Sequence, residues 1–209
     1  LDSNEKKNPF LIKEVKYRSK PKFLTKIFLN KYTVKIFNTL WFYKSSKNEI
    51  DKHESISSFF HPLDIIKDWN KIYGSKGFIQ YQFFVPNHSV EKIKFVLEFL
   101  RKENVPCFLT VLKKFGKKNP SPLSFPDKGW TLTTDIPNSS KKINEILDFL
   151  DKEIAKSGGK IYLTKDSMQS AYIFKKTYPD FQKWKEIKKK LDPEFKFVSD
   201  MSKRLKFFS

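Results

Sequence analysis

One stretch, Phe78 to Asp166, admits few folds. It reads FIQYQFFVP, then an apolar stripe at helical spacing, then CFLTVLKKFG and GWTLTTDIP, then a second helical stripe, then KIYLTKDS. Runs that alternate with period two mark strands, and stripes near period 3.6 mark amphipathic helices. The order is strand, helix, strand, strand, helix, strand. This is a split βαβ pattern, the α+β ferredoxin-like arrangement, in which an antiparallel sheet carries both helices on one face. Further helical segments are expected before and after it.

The alternation sorts the side chains. In the first strand Ile79, Tyr81, Phe83 and Val85 share one face, and Phe78, Gln80, Gln82 and Phe84 the other. In the third strand Trp130, Leu132, Thr134 and Ile136 oppose Thr131, Thr133 and Asp135. The helical stripes are Val90, Ile93, Leu97, Leu100 and Ile143, Ile146, Leu147, Leu150, Ile154. Each can cover one sheet face, so the apolar faces are expected to meet them. Ser139 and Ser140 suit the start of the second helix, and Gly158-Gly159 suits a left-handed stop. Gln80, Gln82, Thr131, Thr133 and Asp135 are left on the uncovered face. Such a face either meets water, as antiparallel sheets commonly do, or lines a polar site. Two glutamines two residues apart favour the site, because paired amides offer both donors and acceptors to a hydroxyl-rich ligand. Lys113, on a second strand read as Cys107 to Phe115, fits either face. Turned to the glutamines, it would supply a cation for a phosphate or an oxyanion.

The remaining segments are read more coarsely. Residues 1–21 look like a loop or edge segment. From Lys22 to Tyr43 the pattern predicts a helix around Leu24, Ile27 and Phe28, then a strand around Val34 and Ile36. A polar loop follows, then a helix from Pro62 with Leu63, Ile66 and Trp69. A fourth strand is expected over Lys160 to Thr164. Two helices follow, Ser167 to Tyr178 and Asp180 to Leu191, and then a tail.

Composition narrows the function classes. A net charge of +19 favours anionic partners: nucleic acid, anionic lipid or phosphorylated substrates. The single cysteine, Cys107, excludes an internal disulfide and reads as a buried structural thiol. No apolar run of about 18 residues spans a membrane, and the start LDSNEKKNPF has no signal-peptide core. That start also lacks Met, which points to processing or to a piece of a longer protein. There is no P-loop, GxGxxG or G-x-S-x-G, and His53, His61 and His88 lack metal-ligand spacing. An RNA-recognition module has the same element order, but its open face needs central stacking aromatics. Here those positions are Gln80, Gln82, Thr131 and Thr133. A nucleic-acid-binding module is therefore the alternative reading, and no nucleic acid is expected. The Lys22 to Tyr43 segment fits a membrane surface or a packed core.

Several blocks then form an ordered series: FFHPLDIIKDWNKIYGSKGFIQYQFFVP, TVLKKFG, SPLSFPDKGWTLTTDIP, GGKIYLTKDS and FVSDMSKRL. Together they resemble the C-terminal half of FAD-linked oxidoreductases of the vanillyl-alcohol-oxidase type, closest to the ribose-oxidising members. The resemblance implies that 1–57 is the N-terminal part of a substrate (cap) domain and 58–166 its ferredoxin-like core. Residues 167–209 would be a helical segment packing on an FAD domain outside this chain. It implies FAD as cofactor and a sugar-like substrate, lipid-linked in some members. A secondary alcohol would be oxidised by hydride transfer to flavin. Gln80 and Gln82 match the family's active-site glutamines, and Lys113 and Lys165 its lysines. Lys165 is expected to act in catalysis and beside the cofactor, Lys113 in catalysis. Asp166 is expected to be structural, capping the next helix. Phe60, Thr131 and Thr133 fall on substrate-binding positions but depart from the ribose-oxidising members, which carry Tyr, and Asn or Cys. A different sugar or a sugar lactone is thus open. The resemblance further implies a cytoplasmic location, peripheral to the inner membrane for a lipid-linked substrate. The chain alone is expected to bind no FAD tightly. With Tyr172, Phe174 and Trp184 lacking a partner domain, it is also expected to self-associate or rearrange its tail.

Overall fold

The computed structural model describes residues 31–44, 73, 75–138 and 142–208. The expected helix from Pro62, the segment around Leu24 and the candidate Phe60 lie outside the described residues, as do Ser139 and Ser140. The chain divides into two units, Leu1–Gly77 and Phe78–Ser209.

In the first unit the described element is helix α1, Lys31–Lys44. This corrects the strand expected at Val34 and Ile36. β-branched and aromatic residues raise strand propensity, but they are also common on helices that bury or dock one face. Tyr32, Ile36, Leu40 and Tyr43 recur at helical spacing, and each is more than half exposed.

The second unit contains strand β1 (Phe78–Pro86), helix α2 (Glu91–Lys102), strands β2 (Thr110–Phe115) and β3 (Gly129–Pro137), helix α3 (Ile143–Lys156) and strand β4 (Lys160–Ile161). The sheet order is β2-β3-β1-β4, with every pairing antiparallel. This is the ferredoxin-like arrangement read from the sequence. Tyr81, Phe83, Val85, Leu132 and Ile136 form one core with the inner faces of α2 and α3. The α3 stripe is as expected, with all five residues buried. The α2 stripe is corrected to Ile93, Val96 and Leu100, while Val90 and Leu97 are exposed. Between the helices, Lys92 Nζ meets Glu153 Oε2 at 3.0 Å and the rings of Phe99 and Phe149 stack at 4.7 Å. Lys156 and Lys92 hold the Glu153 carboxyl below its usual range.

Several boundaries are shorter than expected. β2 begins at Thr110, although Asp135 N still donates to Leu109 O at 2.9 Å. β4 ends at Ile161, one last bond running from Tyr162 N to Gln82 O at 2.9 Å. Lys142 precedes α3 without a side-chain cap. Gly158, at φ +75°, makes the left-handed stop.

Gly129 and Gly159 let chain segments meet at the end of β1. A Cβ on Gly129 would lie 2.2 Å from Val85 O and 2.7 Å from the Phe84 ring. Backbone cannot yield as a side-chain tip can. Gly129→Ala is expected to cost about 2 kcal/mol, read as a lower urea midpoint with unchanged slope.

After the sheet come α4 (Ala171–Thr177), α5 (Phe181–Leu191) and α6 (Asp200–Arg204). Ser199 and Ser202 form a reciprocal capping box at the start of α6, so the expected tail is partly helical. Leu205 and Phe207 return onto Phe174, Tyr178 and Phe181. Phe174 is thereby fully buried and Trp184 stacks on Phe181 at 5.8 Å. Of the three residues expected to lie bare, only Tyr172 is exposed, at 72%. Phe174 and, in part, Trp184 are therefore covered, while Leu191 and Phe197 of the same segment are each 81% exposed. Tyr178 Oη donates to Ile161 O at 2.7 Å, tying this cluster to β4.

Candidate functional site

Register settles the faces. Gln80 pairs with Asp135, Gln82 with Thr133 and Phe84 with Thr131 across β1 and β3. Val111 and Lys113 of β2 oppose Thr133 and Thr131. Lys113 thus stands on the face of the glutamines, the side away from the helices. It is exposed, and its side chain makes no hydrogen bond or ion pair among the described residues.

This face has two ends of different character. At one, the β2–β3 loop folds back and sets Phe125 against three rings: Tyr162 at 4.5 Å, Phe115 at 5.8 Å and Phe84 at 6.4 Å. Phe84 and Phe125 are 2% and 5% exposed. Their packing on each other leaves neither free for base stacking, which weighs against an RNA platform. At the other end the face is polar. Gln80 Nε2 donates to Asp135 Oδ1 at 3.0 Å, and Gln82 Nε2 donates to Thr131 Oγ1 at 3.1 Å. Thr131 Oγ1 in turn donates to Phe83 O at 2.8 Å.

Thr131 and Gln82 need restating. Thr131 was expected to face a ligand, but it is fully buried. Its neighbour across the ladder, Phe84, belongs to the aromatic cover, and its hydroxyl is used by Gln82 and Phe83. It can orient Gln82 without touching a ligand. Gln82 itself is 8% exposed, so its amide is a held group rather than a solvated one. Gln80 and Thr133 are half-buried.

Because β4 is short, the edge of β1 is open beyond Ile161. A cleft sits there, lined by Gln80, Gln82, Lys165, Asp166 and Met168, and floored by Tyr81 and Asp151. Lys165 is half-buried, and its side chain makes no hydrogen bond or ion pair among the described residues. The fold does not bring Lys113 to it. Lys113 lies on the far edge strand, two strands from β1 at about 5 Å per step.

Asp166 fixes the turn that carries Lys165. Its Oδ1 accepts from Met168 N at 2.9 Å and Gln169 N at 2.8 Å. It therefore caps this turn, while Ser170 caps α4. Its Oδ2 pairs with Arg204 Nη2 at 2.7 Å, and Arg204 Nη1 also donates to Gln169 O. Under the cleft, Tyr81 Oη donates to Asp151 Oδ1 at 2.9 Å. Burial pushes the Asp151 carboxyl up to about 7, against the lowering effect of the Tyr81 bond. Burial, with Asp151 adding to it, raises the Tyr81 phenol well above its usual value. Burial likewise pushes the Cys107 thiol up, the condition of a packed and unreactive cysteine.

The aromatic cover, the Tyr81–Asp151 pair and Arg204 were not among the expected site residues. Phe84 was the available signal, since its parity put a large ring beside the two glutamines on their face. Nothing local to Asp151 or Arg204 marks them, because their partners lie 70 and 38 residues away.

Residues 136–205 match the model of the family described as ALO, D-arabinono-1,4-lactone oxidase. About a third of the chain is therefore similar to that oxidase family. Over 98% of its length it is 36% identical to decaprenylphosphoryl-beta-D-ribose oxidase of Mycolicibacterium smegmatis (strain ATCC 700084 / mc(2)155), of which it covers 44%. It is also 27% identical over 143 residues, 68% of the chain, to an uncharacterized protein in the mprA 5' region of Streptomyces coelicolor, covering 39% of it. The chain thus spans less than half the length of these curated relatives.

Proposed function

We propose that this chain is the substrate-facing part of an FAD-dependent oxidoreductase that oxidises a secondary alcohol of a sugar or sugar lactone by hydride transfer to flavin. One observation carries the reading: Gln80, Gln82 and Lys165 line one narrow cleft at the open edge of β1, shared with the apolar Ile79, Leu147 and Ile161, in a chain whose relatives include a ribose-lipid oxidase. FAD, held mainly by residues outside this chain, would supply the redox chemistry.

The donor set fits such a group. Amides give donors and acceptors for sugar hydroxyls, and Gln82 is already oriented through Thr131. Gln80 and Thr133 would contact the sugar. Lys165 brings a positive charge free of any protein carboxylate among the described residues. Placed beside developing negative charge, it would stabilise the transition state rather than the ground state. Lys113, across the sheet, would act at the far end of the substrate, where a phosphate would meet it.

The test is anaerobic flavin reduction, with this chain assembled with an FAD-loaded partner half. Secondary-alcohol sugars and sugar lactones should bleach the oxidised flavin. Lys165→Ala is expected to slow the bleaching about a hundredfold, with the flavin still bound. If no sugar alcohol or lactone bleaches it, or if Lys165→Ala bleaches at the parent rate, the proposal fails.

A further inference from the structure

A second cleft opens beyond the aromatic cover. Its walls are Lys118, Ser124 and Asp127 of the β2–β3 loop, the α3–β4 junction with Lys160, and the turn from α4 into α5 with Lys176. Its volume is about 260 Å³. That is room for a small anion, below the roughly 300–1,000 Å³ of pockets that take drug-sized ligands.

Its charge arrangement is unusual for a solvated surface. Lys160 is deeply set, its side chain 12% exposed. A lysine so covered is normally held by a carboxylate at close range. Here the nearest, Asp127, is 4.0 Å away. Among the described residues Nζ donates one hydrogen bond, to Ser124 O at 3.2 Å, and lies 5.8 Å from the centre of the Phe84 ring, although an ammonium has three donors. Lys118 Nζ is tied to Asp180 at 2.7 Å, and Lys183 shares that carboxylate at 3.3 Å. Asp180 is therefore already neutralised. Lys176 is exposed, without an ion pair among the described residues. Desolvation lowers the pKa of Lys160, and the nearby Lys118 acts in the same direction. The N–H groups of Gly158 and Gly159 donate to Ala155 O and Ile154 O, so side chains alone carry recognition here.

We propose that this cleft binds a phosphate group, as inorganic phosphate or a phosphate monoester, through Lys160 and Lys176, with Lys118 at its rim. A dianion with several acceptor oxygens matches ammonium groups converging from three chain segments. A monocarboxylate would leave one of them unused. The site is separate from the Gln80–Lys165 cleft and stands whether or not the flavin reading does.

The experiment titrates the whole chain with inorganic phosphate and with ribose 5-phosphate by calorimetry. A parallel arm measures co-sedimentation with phosphatidylcholine vesicles, with and without phosphatidic acid. Saturable binding is expected, and Lys176→Gln and Lys160→Gln should each weaken it about tenfold. Lys94→Gln, on the outer face of α2, should leave it unchanged. Lys176 is exposed, so its variant keeps the test decisive even if Lys160→Gln fails to fold. Binding in the soluble arms identifies a free ligand, and retention only on phosphatidic-acid vesicles identifies a lipid headgroup. Either result supports the site. No saturable binding in any arm overturns it. So does an equal loss in Lys94→Gln, which would mean diffuse attraction to a basic chain.

Discussion

Asp151→Asn is expected to remove a loss of about 4 kcal/mol in stability that the parent chain suffers as pH rises through the weakly acidic range. The carboxyl has an ordinary value of 3.8 and is pushed to about 7 in the fold. A folded pKa above the unfolded one means the fold prefers the protonated form. The stabilisation from that preference is complete below pH 3.8 and is lost by about pH 7. Roughly three pH units at about 1.4 kcal/mol each give the magnitude. The cause is first burial, then the carboxylates of Asp166 and Asp148; Tyr81 and Arg204 act against it. Asparagine keeps an oxygen to accept from Tyr81 Oη but cannot ionise. The difference in urea-unfolding free energy between variant and parent should therefore be small at pH 4 and grow to its full size by pH 8. A difference that stays flat across that range would mean Asp151 is solvated in the folded chain.

This pair also shows where sequence reading stops. The alternation in β1 put Tyr81 on the helix face and Gln80 and Gln82 on the other, and the sheet bears that out. Period is a local property, so any stretch that carries it can be sorted by face. Position along the strand is a different matter. Thr131 and Thr133 share a face by parity, yet one is fully buried and the other half-exposed. Thr131 stands opposite Phe84, on which Phe125 packs, and Phe125 arrives from a proline-rich loop whose path no periodicity encodes. The same holds for Phe174. Its burial depends on Phe207 stacking on it at 4.8 Å, a contact across 33 residues of tail. The resemblance points to Gln80, Gln82, Thr131 and Lys165, and the packing decides which of them a ligand can reach. Gln80 and Lys165 remain reachable, while Thr131 becomes a support for Gln82.

Asp166→Ala is expected to cost about 3 kcal/mol and, with it, the position of Lys165. The Asp166 side chain is 4% exposed and has three protein partners: the Met168 and Gln169 N–H groups and the Arg204 guanidinium. Removing it strands two backbone donors and leaves Arg204, itself 31% exposed, without its carboxylate. Arg204→Met acts from the other side, leaving a buried carboxylate with only backbone partners. The two changes touch one network, so they should not add. The double variant should cost less than the sum of the singles by about 1 kcal/mol or more, measured by urea unfolding. A second readout separates stability from function. Arg204 lies in α6, and its bonds to Asp166 and Gln169 help hold that helix against the 165–170 turn. Limited proteolysis should therefore cut both variants early between residues 192 and 200, before the sheet is attacked. Lys165 directly precedes Asp166 in that turn, so loosening α6 should also loosen one wall of the cleft. Strictly additive losses, or a tail that resists protease in both variants, would show that the ion pair is decorative and that Lys165 is held by something else.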